Sequence, residues 1–179
     1  MEQVFLSLGS NLGDRLANLR QAVASLRRLA TVIALSDAYE TEPVGFAGQP
    51  WFLNAVVGLH MNNHESVSND DAPNLLLESL LSIERELGRD RSSAYSIPNG
   101  PRVLDLDIIL YGSRVIDSAS LTIPHPAMHL RRFVLEPLAQ IAPGVVHPVL
   151  HRSAVQLLQA LPSNGPQVRR LASLQSPEA

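Results

Sequence analysis

Arg102-Val103-Leu104-Asp105-Leu106-Asp107-Ile108-Ile109-Leu110-Tyr111 alternates apolar and polar side chains with a period of two. That period belongs to a β-strand, with Leu104, Leu106, Ile108 and Leu110 on one face and both Asp105 and Asp107 on the other. Alternate strand residues stand roughly 6.5 Å apart, so the two carboxylates can share one hard cation or clamp a pair, magnesium being the natural choice. The alternative for a bare Asp-x-Asp is a strand face whose acids meet only solvent.

Reading outward from this strand, residues 3–8 form a second alternating run that enters Gly9-Ser10-Asn11-Leu12-Gly13-Asp14, a cluster of turn formers. Leu16, Leu19, Val23, Leu26 and Leu29 then recur at helical spacing, which predicts a helix over 15–30 capped by Asp14. A strand over 31–39 and another over 52–61 flank a Pro- and Gly-rich stretch, 40–50. Residues 62–73 read as a polar surface insertion. The leucine-rich helix expected over 75–87 stops at Gly88 and carries Glu84 near its end. An arch over 88–101 leads into the strand over 103–111. The resulting βαββαβ order predicts an α+β fold, a mainly antiparallel sheet with helices on one face in the manner of a ferredoxin-like sandwich. A hairpin over 114–123 and helices over 131–141 and 153–161 extend it. A single domain is expected over 1–161, with 162–179 as a flexible tail.

The 179 residues, 45% hydrophobic and 17% charged, suit a soluble domain with a substantial core. No signal peptide or membrane span is read in the chain, so a cytoplasmic location is expected. With no cysteine, disulfides, thiolate metal sites and cysteine nucleophiles are excluded. All 14 basic residues are arginine, and without lysine the chain can have neither Schiff-base chemistry nor a phosphate-loop lysine. The net charge of -3 gives no reason to expect nucleic acid as a partner. A small anionic ligand remains, to be gripped by arginine.

Arg89, Arg91, Arg102, Arg131, Arg132 and His125 surround the two aspartates in sequence. Carboxylates with metal, faced by guanidinium groups, are what a polyphosphate requires, although each arginine taken singly can be surface charge. The pairs His125/His129 and His147/His151 have i, i+4 spacing, but Pro126 and Pro148 argue against a zinc-binding helix face. Gly9 to Gly13 lacks the lysine of a phosphate loop. Aromatic residues are only 4% of the chain, yet Phe46, Trp51 and Phe52 cluster, with Phe133 further on. They can pack in a core or stack on a planar ligand. Asn54 shares the face of Phe52 and offers a donor and an acceptor to the edge of a fused-ring base.

These segments resemble the hydroxymethyldihydropterin pyrophosphokinase family of folate biosynthesis, from Val4 to about Val149. The resemblance is carried by Leu8-Gly9-Ser10-Asn11-Leu12-Gly13-Asp14-Arg15, Tyr39-Glu40-Thr41-Glu42-Pro43-Val44-Gly45, Phe52-Leu53-Asn54-Ala55, Gly100-Pro101-Arg102-Val103-Leu104-Asp105-Leu106-Asp107-Ile108, Ile123-Pro124-His125-Pro126 and Arg131-Arg132-Phe133 through Leu138. It implies transfer of pyrophosphate from MgATP to 6-hydroxymethyl-7,8-dihydropterin, leaving AMP, with two Mg2+ ions on Asp105 and Asp107 and with Arg89 and Arg102 also catalytic. It further implies that Phe52 and Phe133 sandwich the pterin, whose edge meets Asn54 and the chain at Thr41, Pro43 and Val44. Glu84, Arg89, Arg91, Arg102, Ile108, Thr122, His125 and Arg131 match ATP-binding positions. Loops over 45–50 and 88–101 are expected to close over the substrates, and the protein is expected to be a monomer. The chain departs from many members at Asn99, where they carry Trp, and at Leu81, where some carry Gln.

Two other functions fit parts of the sequence. Another magnesium-dependent phosphotransferase would share the aspartates without needing stacking aromatics. A pterin- or nucleotide-binding regulator would not need the metal face and arginines together. The aldolase that supplies the pterin is set aside because it needs a lysine.

Overall fold

A computed structural model describes residues 2–44, 48–61, 71–89 and 100–174. Its main sheet is built from β1 (Gln3–Ser10), β2 (Thr31–Leu35), β3 (Ala38–Thr41), β4 (Phe52–His60), β5 (Asp105–Tyr111) and β8 (Val168–Ala172). The strand path is β5-β1-β4-β3-β8, with β2 also paired to β4, and every pairing is antiparallel. Helices α1 (Arg15–Leu29) and α2 (Ala72–Glu86) make the crossovers, which gives the expected ferredoxin-like α+β arrangement. The helical extension consists of α3 (Arg132–Ile141) and α4 (Ala154–Gln159), and the short strands β6 (Ile116–Asp117) and β7 (Thr122–Ile123) form the hairpin.

Each face of the sheet has its own core. On one, Leu19, Leu26, Leu76 and Leu80 of α1 and α2 pack on Leu6, Leu8, Leu106 and Ile108. On the other, Val134, Leu135 and Leu138 of α3 and Leu157 of α4 pack on Phe5, Val56, Ile109 and Leu110. The expectation of helices on one face therefore holds for the two crossovers only, because the C-terminal helices cover part of the opposite face. The central strands β1 and β4 are buried almost throughout for this reason.

Local chemistry sets the element ends. Asp14 accepts the Ala17 N–H at 3.0 Å and caps α1. Gly88, at φ +95°, ends α2 in a backbone region that favours glycine. The helix expected to begin at 75 begins at Ala72, with Pro73 in its first turn, where a missing N–H costs nothing. Ser153 and Gln156 form a reciprocal capping box on α4.

Three further expectations are corrected. The single strand over 31–39 is two strands, β2 and β3, along one edge of β4. Between them the buried Ser36 donates its N–H to the Val56 carbonyl at 3.0 Å and accepts the Val56 N–H on its hydroxyl at 2.9 Å. The strand over 103–111 starts at Asp105 and carries a β-bulge, since Phe5 pairs with Leu110 but Leu6 pairs with Ile108. The extra residue, Ile109, reverses the parity, so Leu110 joins the α3 face instead of sharing a face with Leu106 and Ile108. Within the tail expected to be flexible, Val168–Ala172 pairs with β3, and Arg170 makes an ion pair with Asp37.

Candidate functional site

The uncovered part of the α3 face forms a cleft of about 140 Å3. Cross-strand register assembles its floor. Thr41 lies opposite Phe52, Gly9 lies between Asn54 and Asp105, and Ser7 lies opposite Asp107. Directly paired residues share a face, so four strands contribute to one surface. Glu42, Val44, Arg102, Arg131 and Phe133 complete the walls. Glycine is needed at position 9, because a Cβ there would come within 2.8 Å of Asn54 Oδ1.

One end suits a flat heterocycle. Phe52 and Phe133 both line the cleft, and Arg102 and Arg131 lie over their rings at 5.2 and 5.6 Å respectively. The Asn54 amide donates from Nδ2 to Thr41 Oγ1 at 2.6 Å, which fixes its orientation and leaves Oδ1 on the Gly9 side as an acceptor. Pro43 lies between the lining residues Glu42 and Val44 and is not itself part of the wall.

The other end holds the charges. Asp105 pairs with Arg89 and, at 3.0 Å, with Arg102. Glu84, only 1% exposed, pairs with Arg89 at 2.6 Å and accepts the Leu106 N–H at 2.8 Å. Among the described residues the Asp107 carboxylate makes no hydrogen bond and no ion pair. Burial first, and the Asp105 charge second, push its carboxyl up to about 6. The buried Nε of Arg102 also lacks a hydrogen-bond partner among the described residues. A carboxylate without a direct partner among the described residues, beside a paired one, is a hard-oxygen donor set that fits magnesium, and the Arg102 Nε fits an anionic oxygen.

The remaining expected residues lie around this wall. Arg89 and Glu84 stand behind Asp105. His125 donates its N–H to the carbonyl of the bulged Ile109 at 3.1 Å, and its Nδ1 accepts the Ala127 N–H at 3.1 Å, so its ring proton is on Nε2. Burial, followed by the Arg131 charge, lowers its basicity. The Ile108 side chain belongs to the α1/α2 core, so only its backbone is available to a ligand. Thr122 lies in β7. Of the two histidine pairs, His129 faces His147 across the pairs, with ring centroids 6.0 Å apart, and no group of three or more metal-binding side chains occurs among the described residues. Arg91, Phe46, Asn99 and most of the segments 62–73 and 88–101 lie outside the described residues.

Sequence reasoning missed Ser7 and Gly9 as cleft residues, whereas Glu42 lies within the backbone stretch from Thr41 to Val44 that the resemblance set against the pterin edge. Both had a usable signal: continued alternation of β1 places them on the face opposite Leu6 and Leu8.

A model of the 7,8-dihydro-6-hydroxymethylpterin-pyrophosphokinase family matches residues 5–143. The chain belongs to that family. Among curated proteins it is 44% identical over 143 residues to the 2-amino-4-hydroxy-6-hydroxymethyldihydropteridine pyrophosphokinase of Bacillus subtilis, covering 79% of this chain and 78% of that one. The Pseudomonas aeruginosa protein of the same name is 38% identical over 92% of this chain and 95% of its own. Folic acid synthesis protein fol1 of Schizosaccharomyces pombe is 39% identical over 90% of this chain, which spans only 21% of that protein. Similar fractions hold for the Pneumocystis carinii and Dictyostelium discoideum proteins, at 18% and 23%. The crystal structure of wild-type Plasmodium falciparum HPPK-DHPS shares the fold, with a TM-score of 0.63 at 15% identity over 88% of this chain and 44% of that one.

Proposed function

We propose that the chain transfers the terminal pyrophosphoryl group of MgATP to the hydroxyl of 6-hydroxymethyl-7,8-dihydropterin, giving AMP and the pterin diphosphate. The observation that carries this reading is a single cleft with an aromatic pair and an oriented amide at one end and two aspartates with arginines at the other.

Phe52 and Phe133 hold opposite faces of the pterin, and Asn54 Oδ1 with the chain at Thr41 to Val44 takes its polar edge. This places the hydroxymethyl oxygen toward Asp105 and Asp107. The hydroxyl gives up its proton to water, its oxygen bonds to the β-phosphorus as the bond from that phosphorus to the α–β bridging oxygen breaks, and AMP leaves with the bridging oxygen. Two magnesium ions held by Asp105 and Asp107 supply neutralisation of phosphate charge when bound. Arg102 and Arg131 engage phosphate oxygens with planar guanidinium forks, which a single ammonium point charge matches less well. Arg89, clamped by Glu84, holds Asp105 from behind. Neutral His125 offers an uncharged Nε2–H donor to the nucleotide.

Incubation with MgATP and the pterin, followed by chromatography of both products, tests the reading. AMP and pterin diphosphate in equal amounts are expected. ADP formed in proportion to pterin consumed would assign the chain to another phosphotransferase reaction, and binding without any product in a single turnover would make it a regulator.

A further inference from the structure

Three strands run side by side beneath the cleft, and β1 lies between β4 and β5. In one cross-strand row Asn54 of β4, Gly9 of β1 and Asp105 of β5 stand opposite one another, and in the next row Val56, Ser7 and Asp107 do the same. Neighbouring strands are about 4.8 Å apart, so a ligand held by Asn54 and reacting over the aspartates has to cross β1. With glycine at position 9, the polar side chain that β1 presents to the cleft is Ser7.

Ser7 is only 7% exposed, yet it lines the cleft. Its hydroxyl makes no hydrogen bond to any described residue. Every other buried serine or threonine hydroxyl among the described residues has a partner: Ser10 with Asn18, Ser25 with Arg28, Ser36 with Val56 and Thr41 with Asn54. A buried hydroxyl without a partner forgoes bonds that water would supply, a cost that a ligand atom at the right place removes.

We propose that Ser7 Oγ donates a hydrogen bond to ring nitrogen N5 of the dihydropterin and is a specificity-determining residue for that ring. This inference rests on the reading above. The pterin edge that starts at Asn54 runs through N5 to the carbon bearing the hydroxymethyl group, so N5 is the polar atom over β1. Its lone pair lies in the ring plane and is free to accept. A flat ring between Phe52 and Phe133 can turn within its own plane, because stacking fixes its faces and not its heading. Asn54 pins one end of the edge and Ser7 the middle, which aims the hydroxymethyl oxygen over the aspartates. A rival partner for the hydroxyl is the Asp107 carboxylate on the paired strand.

Calorimetric titration of two pterin analogues separates these partners. Each is added to the chain saturated with Mg2+ and α,β-methylene-ATP, whose α–β bridge cannot be cleaved. The analogues are 6-methylpterin and 6-methyl-5-deazapterin, in which C–H replaces N5, and neither has a hydroxyl to react. The unaltered chain is expected to bind 6-methylpterin about 3- to 10-fold more tightly than the deaza compound. In Ser7→Ala that preference is expected to vanish or reverse, because N5 is then buried without a donor, while nucleotide alone binds as before. Ser7→Cys fills nearly the same space with a weak donor, guards against a folding defect in the alanine variant, and should lose most of the preference. An unchanged preference in either folded variant, with both analogues weakened alike, assigns the hydroxyl to Asp107 and overturns the inference. So does a Ser7-dependent preference against 6-methyl-8-deazapterin, which would set the opposite edge of the ring on β1. Those results, or equal binding of the first two analogues by the unaltered chain, leave the proposed reaction standing. Failure of the unaltered chain to bind either analogue overturns both.

Discussion

Glu84 on α2 accepts the Leu106 N–H at 2.8 Å and so satisfies a donor on the edge of β5 that faces away from β1. An unpaired N–H there would lie between the two aspartates of the cleft, and a side-chain carboxylate takes the place of a neighbouring strand. The same oxygen holds Arg89, which in turn holds Asp105. The edge of the sheet and the charge of the site are thus maintained by one buried residue.

Replacing Glu84 should therefore expose two separate losses. Glu84→Ala leaves both the Leu106 N–H and the largely buried Arg89 without this partner, and should cost about 3 kcal/mol or more of folding stability. Glu84→Gln keeps an acceptor for Leu106 and loses only the charge, and should cost about 1 kcal/mol less than the alanine variant. Urea denaturation of both measures the difference. Equal losses would mean that the Leu106 contact does not contribute.

The pH dependence of the metal-free protein follows from Asp107. Its folded carboxyl is raised from the ordinary 3.8 to about 6, so the folded state binds this proton more tightly than the unfolded state does. The associated stability is present below the unfolded carboxyl range and is lost as pH rises through about 6. Thermal unfolding in EDTA should show Asp107→Asn gaining stability over the unaltered chain across that interval, by about 3 kcal/mol at most. Parallel curves from pH 4 to 7 for the two proteins would remove the assignment.

Magnesium should reverse that trend. A carboxylate must give up its proton to bind a cation, so Mg2+ affinity should rise between about pH 5 and 7, and binding should release close to one proton below the Asp107 midpoint and progressively less above it. Calorimetry in two buffers of different ionisation enthalpy counts that proton. Affinity that does not change with pH would place the ion elsewhere.

Gly9→Ala places a methyl group against an amide that cannot easily retreat, since Asn54 is held by Thr41 at 2.6 Å. Overpacking of this kind costs about 1–3 kcal/mol, and here it should fall on pterin binding more than on nucleotide binding. Titration of each ligand separately provides the check. Equal weakening of both would show that the whole sheet has shifted.

Phe52→Ala and Phe133→Ala should each weaken pterin binding by about 1–3 kcal/mol, through lost burial and stacking. Nucleotide affinity measured without pterin should remain close to that of the unaltered chain. If both ligands weaken alike, the aromatic residues support the fold and not the pterin.

Much of this protein was legible in the sequence because its strongest signals are local. The period of two put Asp105 and Asp107 on one strand face, helical spacing gave α1 and α2, and the βαββαβ order allowed few ways to pair the strands. The Gly-Pro-Arg-x-Leu-Asp-Leu-Asp segment pointed to the family for a related reason: a guanidinium, two carboxylates and strand alternation are compressed into eight residues.

What required the tertiary structure was every feature whose cause lies across the sheet. The Ile109 bulge depends on register against Phe5 and Leu6, which periodicity within β5 cannot report. β8 reads Val168-Arg169-Arg170-Leu171-Ala172, too polar to announce a strand, and becomes one because β3 offers a free edge and Asp37 meets Arg170. Neither strand period nor charge gave Glu84 its partner in Leu106, or placed Asn11 between Arg102 and Pro50; those contacts join residues 22, 91 and 39 positions apart. Residue types and short-range order were written in the chain, whereas long-range hydrogen bonds came only when packing removed water from groups that then had to find one another.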